Sequence, residues 1–431
     1  MTTERQAQAL AIAAPGAVVG AGVVDGGLEN TIRERVRRFQ DDHADLLARM
    51  DADEALFNLA TYNSNKDGTH TFPSYTSNSP RTYAKKITSL LSSGDLFVRI
   101  PYREAERERR DEYEVKERFL YGLLEAADRR LLEQMKIRVK AQLAWYTAIR
   151  GYGAVRATFF KDEQGQTQLD VLPLDPRNLA YAVGRDGLAW AAYSTSRTGA
   201  NLADVYGVDF GGSPTTRYEV IDYYDKAINA VLVVGHGFLK PPTPHGAKGV
   251  PVYIVAVGPG PEIISPLTHV ASSGYGESIF AENRAVYAAR NEVLSIYLAL
   301  VQKARDRSYV LYSPDGATVL PDNDNPNEAS GVIALPIPSK LELVELAETT
   351  KDAALLAQAI QEEMHFGSLS KASHGDIPFQ LSGFAINSLR QSVFSILQPL
   401  IDAIQDVYGL MLRGLVAQYT SGAYAPITLR G

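Results

Sequence analysis

Apolar positions near the start of the 431-residue chain recur at the spacing of a helix. Ile32, Val36, Phe39, Leu46, Leu47, Leu56 and Leu59 predict one helix over 31–62. The polar stretch 63–80 reads as a connector, a shorter helix follows over 81–91, and Leu96 to Ile100 read as a strand stopped by Pro101. Over 104–149 the pattern fits one very long helix or two. Its first part is charge of alternating sign, a solvated face with i,i+4 pairs. Its second part sets Leu120, Leu123, Leu124, Leu131, Leu132, Met135, Ile137, Val139, Leu143 and Trp145 at core spacing.

From 151 to 257 the period falls to two. Strands are expected at 154–160, 167–171, 179–182, 188–195, 218–224, 230–234 and 250–257. The punctuation between them includes Asp175-Pro176, Asp186-Gly187, Gly211-Gly212-Ser213-Pro214 and Lys240-Pro241-Pro242-Thr243-Pro244. Strands that follow a helical region, rather than alternate with it, predict an antiparallel sheet in an α+β chain.

The helical period returns over 277–305 with no internal proline or glycine, enough for about 40 Å at ~1.5 Å per residue. Its second half, Val293 to Val301, is apolar on nearly every face, where a surface helix of a monomer shows one stripe. That predicts packing on several sides, by copies of the chain among others. Short strands at 308–312, 332–335 and 341–346 surround a polar tip at 321–328. A helix at 349–366, a loop at 367–383 and a second long helix at 386–419 complete the order. In the last helix Ile386, Leu389, Val393, Ile396, Leu400, Val407, Met411 and Leu415 form one stripe, with Pro399 as a kink point.

Length and composition narrow the classes. A chain of this size is expected to hold two or three domains. Having no cysteine, it has no disulfides and no thiolate metal sites, which suits intracellular assembly. A net charge of -7 argues against a dominant basic nucleic-acid surface. The Ala/Gly/Val tract of residues 1–30 is interrupted by Pro15 and by glycines, and Arg5 is offset by Glu4, so it reads as a flexible N-terminal arm rather than a secretory signal. No apolar run approaches the ~18 residues of a membrane span, and no membrane association is expected.

Catalytic signatures are sparse. Gly-x4-Gly-Lys-Ser/Thr is absent, and Gly151-Tyr152-Gly153 and Gly258-Pro259-Gly260 are incomplete as dinucleotide loops and read as turns. Ser368-Leu369-Ser370-Lys371 matches Ser-x-x-Lys but lacks a companion Lys-Thr-Gly, so it reads as a polar loop with one cation. The seven histidines are scattered, with no His-Glu-x-x-His. Asp322, Asp324 and Glu328 lack the glycine and closing glutamate of a calcium loop and read as a solvated tip. Lys303, Arg305 and Arg307 suit the end of a helix dipole; in a ring of copies they would also form a basic ring able to meet phosphates without reading sequence. No catalytic residue, cofactor or metal is expected.

The order of these elements resembles the portal protein, or head-to-tail connector, of tailed bacteriophages over about residues 31–419. The segments that carry the resemblance are Trp145-Tyr146-Thr147-Ala148-Ile149-Arg150-Gly151-Tyr152-Gly153, Leu174-Asp175-Pro176, Gly276-Glu277-Ser278-Ile279 and Ser382-Gly383-Phe384-Ala385-Ile386. The resemblance implies a portal-type α+β fold. Residues 31–276 would be the wing, 277–305 the first stem helix, 306–346 a small strand-containing clip, 347–366 the second stem helix, 367–383 the tunnel loop, and 384–431 a C-terminal wing or short crown helix. It implies a closed ring of about twelve copies that uses one heterologous interface repeatedly, placed at one vertex of the capsid after assembly in the host cytoplasm. The implied partners are the major capsid protein, the terminase large subunit, a head-completion adaptor or tail protein, and double-stranded DNA passing non-specifically. Lys371 and His374 of the tunnel loop would face that DNA, and Asp322, Asp324 and Glu328 of the clip tip would meet the adaptor. The alternative is another virion or tail-assembly protein that oligomerises through its long helices without touching DNA.

Overall fold

The computed structural model describes residues 26–64, 73–101, 110–161, 165–208, 210–258, 263–264, 271–272, 276–305, 309–312, 340–343, 349–366, 383–421, 424 and 427. The fold is α+β. It divides into two units, one from residues 1–54, 84–279 and 391–431, the other from 55–83 and 280–390.

The helix expected over 31–62 forms as two, α1 (Gly26–Asp42) and α2 (Ala44–Phe57). The break at His43 is slight, since His43 N still donates to Phe39 O and Leu47 N to His43 O. α3 (Ser79–Ser93) matches the helix expected at 81–91. Residues 96–100, expected as a strand, pair with no strand among the described residues; Phe97 is exposed and Ile100 N is bonded by the Glu117 carboxylate at 2.7 Å. The long pattern of 104–149 is two helices, α4 (Arg110–Glu133) and α5 (Val139–Arg150). Between them Met135 takes a φ of 58°, Lys136 N reaches back to Leu131 O, and the Asp128 carboxylate accepts from Val139 N at 2.8 Å.

The strands are β1 (Tyr152–Lys161), β2 (Thr167–Pro173), β3 (Leu179–Gly184), β4 (Gly187–Thr198), β5 (Arg217–Asp225), β6 (Ile228–Val233), β7 (Gly237–Pro244) and β8 (Val252–Ala256), with α6 (Gly199–Tyr206) between β4 and β5. They form two antiparallel sheets rather than one, β2-β1-β8 and β3-β4-β5-β6-β7. Period-two alternation decides what each face meets. Ile221, Tyr223 and Leu232 pack with Ile32, Val36 and Phe39 of α1. Val220, Val231 and Val233, on the opposite face, pack with Leu202 of α6.

Two elements depart from the expected reading. β7 includes the Lys240-Pro241-Pro242-Thr243-Pro244 stretch read as punctuation; proline is tolerated because β7 is the edge of its sheet and pairs with β6 through register shifts. α6 was not anticipated in the sequence. It is capped by Thr198, whose side chain accepts from Asn201 N, and ended by Gly207 at a φ of 66°.

A minor antiparallel pair, β9 (Ile263–Ile264) with β10 (Ala271–Ser272), follows. In the second unit α7 (Arg284–Arg305) packs on α8 (Thr349–Phe366), and β11 (Tyr309–Tyr312) pairs antiparallel with β12 (Lys340–Leu343). The helix expected from residue 277 therefore starts at Arg284, giving about 33 Å at ~1.5 Å per residue. Upstream donors are committed elsewhere: Glu277 N to Val257 O and Ile279 N to Ala148 O. α9 (Gly383–Tyr419) runs through Pro399 as one helix. Gly153 of β1 lets it approach closely, since a Cβ there would lie 2.9 Å from Val407 Cγ2.

Candidate functional site

Three of the segments quoted for the resemblance meet at one junction in the first unit. α5 ends at Arg150, and Gly151 adopts a φ of 74° that turns the chain into β1. A Cβ at Gly151 would sit 2.8 Å from Gly276 O, so that approach needs glycine. Gly276 N donates to the Tyr152 hydroxyl at 3.0 Å, Glu277 pairs with Arg49 at 2.6 Å, and the Ser278 hydroxyl donates to Asp53 at 2.7 Å. Arg150 is the buried centre. Its Nε and one terminal nitrogen each meet Asp175 at 2.9 Å, that nitrogen also meets Glu54 at 2.7 Å, and the other bonds Met50 O at 2.8 Å. Burial alone would lower the Arg150 pKa; the carboxylates of Asp175 and Glu54 outweigh it and hold the pKa up. The junction ties α2, α5 and the Asp175-Pro176 turn together, which is a structural role.

The first unit also holds a cavity of about 390 Å³ between its two sheets, lined in part by Arg156, Asp170, Arg197, Asp222 and Lys240. Arg156 donates to Asp222 at 2.6 Å and to Asp170 at 2.5 Å. Asn229 donates to Asp222 at 2.8 Å and accepts from Lys240 at 2.6 Å. Arg197 is only 3% exposed; it lies over the Tyr206 ring and reaches Asn201 Oδ1 at 3.4 Å. Burial pushes Lys136 down to about 8, with Asp170 opposing and Arg156, Arg130 and Arg197 adding to the fall. Burial likewise lowers Lys240, and raises the Tyr224 hydroxyl well above its ordinary value.

In the second unit the second half of α7 is built inside out. Tyr287 near its start is buried, but farther along the covered positions are small or polar: Ser295 is 1% exposed and Ala299 is buried, while Ile296 and Val301 are 41% and 43% exposed. Residues 75–79 run along the polar side. Tyr75 N donates to the Ser295 hydroxyl, Ser77 N to Asn291 Oδ1, each at 2.9 Å, and Arg290 to the Ser79 hydroxyl at 2.5 Å. On α8, Leu355 and Leu356 are exposed as well.

Among the residues singled out in the sequence, Lys303 and Arg305 occupy the last turn of α7. Arg307, Asp322, Asp324, Glu328, Ser368, Lys371 and His374 lie outside the described residues, as do the strand expected at 332–335 and the arm before Gly26. His43 stacks on Phe39, and His245 bonds Asp225 O at 2.9 Å, so both serve packing. Among the described residues no group of His, Asp and Glu could hold a metal, and no helix is long and apolar enough to cross a membrane. The cavity cations went unnoticed in the sequence because they sit on separate strands; the available signal was a charge inside an apolar strand, as at Arg156 and Asp222.

No family model and no curated protein matches the chain. Among solved structures, it is similar to the neck of an empty GTA particle computed with C6 symmetry, at 15% identity over 79% of this chain and 78% of that one, with a TM-score of 0.43. It is also similar to the neck of a native GTA particle computed with C12 symmetry, at 15% identity over 77% of this chain and 86% of that one, with a TM-score of 0.38.

Proposed function

We propose that the chain is the subunit of a phage-type portal ring, a conduit for double-stranded DNA at one capsid vertex and a docking platform for the terminase and for head-completion or tail proteins, with no catalytic site of its own. The inverted burial along the second half of α7 carries the reading. A helix that covers Ser295 and leaves Ile296 and Val301 open is arranged for a second apolar surface, which a neighbouring copy supplies in a closed ring. The order of elements from α7 through β11, β12 and α8 to α9 fits a stem, a clip, a second stem helix and a last long helix. On this reading the segment holding Lys371 and His374 faces the DNA.

Negative-stain imaging with mass photometry tests it. The purified protein should form rings with a central hole, and I296E/V301E should leave a folded monomer. Monomers or dimers under every assembly condition would sink the proposal. If rings form but deleting residues 368–374 leaves DNA packaging intact, DNA contact through that segment is wrong and the tail-assembly alternative takes its place.

A further inference from the structure

The cavity of the first unit has a surplus of positive charge that its own carboxylates do not absorb. Asp170 and Asp222 are both engaged by Arg156. Lys240 and Arg197 remain, and Lys161 adds a cation at the exposed end of β1. Arg197 is the telling group. No carboxylate pairs with it among the described residues, and its buried Nε has no hydrogen-bond partner there. A buried cationic donor left unpaired costs more than a lost hydrogen bond, so a site of this kind is completed by an anion. Around it stand the tyrosines Tyr193, Tyr206 and Tyr224 and the ring of Phe159. The volume of about 390 Å³ lies within the range of small-molecule sites and exceeds what a bare phosphate fills.

We propose that this cavity binds a phosphate group, free or as a small phosphomonoester, with Arg197 and Lys240 as its charged donors and Arg156 held in place by Asp170 and Asp222. Arginine and lysine around one site supply the charge-assisted hydrogen bonds that phosphate takes best. All of these residues belong to the first unit, and the assignment does not rest on the α7 surface.

Isothermal titration calorimetry on the full chain, at constant ionic strength set with chloride, tests the assignment with inorganic phosphate and with ribose 5-phosphate as probes. Binding of at least one probe in the millimolar range or tighter is expected, weakened about tenfold or more in Arg197→Gln and in Lys240→Met. Tighter binding of ribose 5-phosphate supports a phosphomonoester; equal binding supports free phosphate. Should Arg197→Gln fail to fold by circular dichroism, Lys240→Met, at a half-buried edge-strand position, decides. No saturable binding of either probe at about 20 mM, or affinity unchanged in every folded variant, overturns the proposal.

Discussion

Arg150→Met isolates the junction that joins α2, α5 and the Asp175 turn. The substitution keeps length and apolar volume but removes the cation from a site where the Arg150 side chain is 3% exposed and that of Asp175 18%. Breaking one half of a buried pair leaves the other charge unpaired, at about 3–5 kcal/mol. The structure places the cost at the lower end. Asp175 keeps one donor, Arg177 N at 3.0 Å, and the Glu54 partner is 43% exposed, worth well under about 1 kcal/mol. Met50 O loses its Arg150 donor, adding roughly 1 kcal/mol. The sum is about 4 kcal/mol. Arg150→Lys keeps the charge without the two-nitrogen grip on Asp175 and should cost about half of that. Urea unfolding followed by tryptophan fluorescence is the assay, because the two tryptophans, Trp145 and Trp190, both belong to the first unit, and Arg150 lies over the Trp145 ring. A double-mutant cycle with Asp175→Ala should return a coupling of about 2 kcal/mol or more. A loss below about 1 kcal/mol for Arg150→Met would refute the reasoning, since it would mean that the pair is no better than a surface ion pair.

Other outcomes follow from packing and charge. Gly153→Ala sets a Cβ 2.9 Å from Val407 and 3.2 Å from Thr147, and should cost about 1–3 kcal/mol in the same unfolding assay. Ser295→Ala deprives Tyr75 N of its acceptor; hydrogen exchange should show faster exchange at residues 73–79 with α8 unchanged. Lys136, pushed down from 10.5 to about 8, releases its proton in the folded state first. The cost of burying its charge is therefore borne in full below about pH 8, falls as pH rises, and is gone above 10.5, so stability rises across that window. Lys136→Met should abolish that rise between pH 8 and 10 and stabilise the protein at pH 7 by roughly 1 kcal/mol, partial exposure having reduced the full effect.

Much of the scaffold was legible because period and burial coincide. The alternation in Tyr218 to Tyr224 predicted a strand, and its two faces do meet two different helices. The glycines and the Asp175-Pro176 step marked the junction, since each punctuates a turn with its own backbone demand. What escaped was set by long-range pairing. Nothing local to Leu96-Phe97-Val98-Arg99-Ile100 reports whether a partner strand lies beside it, and nothing local to Lys240-Pro241-Pro242 reports that β6 does. The first turn expected in the long helix was lost for a similar reason: the Glu277 and Ile279 amides are held by Val257 and Ala148, far away in sequence. The cavity draws Arg156, Asp170, Arg197, Asp222 and Lys240 from five strands, so no spacing along the chain announces it. The residues expected to meet DNA or an adaptor lie outside the described segments, and their assignment rests on the sequence resemblance.

The prolines of β7 also decide how this protein can fail. Three of the eight residues in Gly237–Pro244 lack an N–H, so the outer edge of the five-stranded sheet cannot present an unbroken row of donors to another chain. Growth of the sheet from molecule to molecule, the usual route from crowded subunits to fibrous aggregate, is closed on that side. In the proposed ring, a subunit that meets copies of itself then has a sheet edge that ignores them, and association is left to side-chain surfaces, where geometry can limit the number of copies.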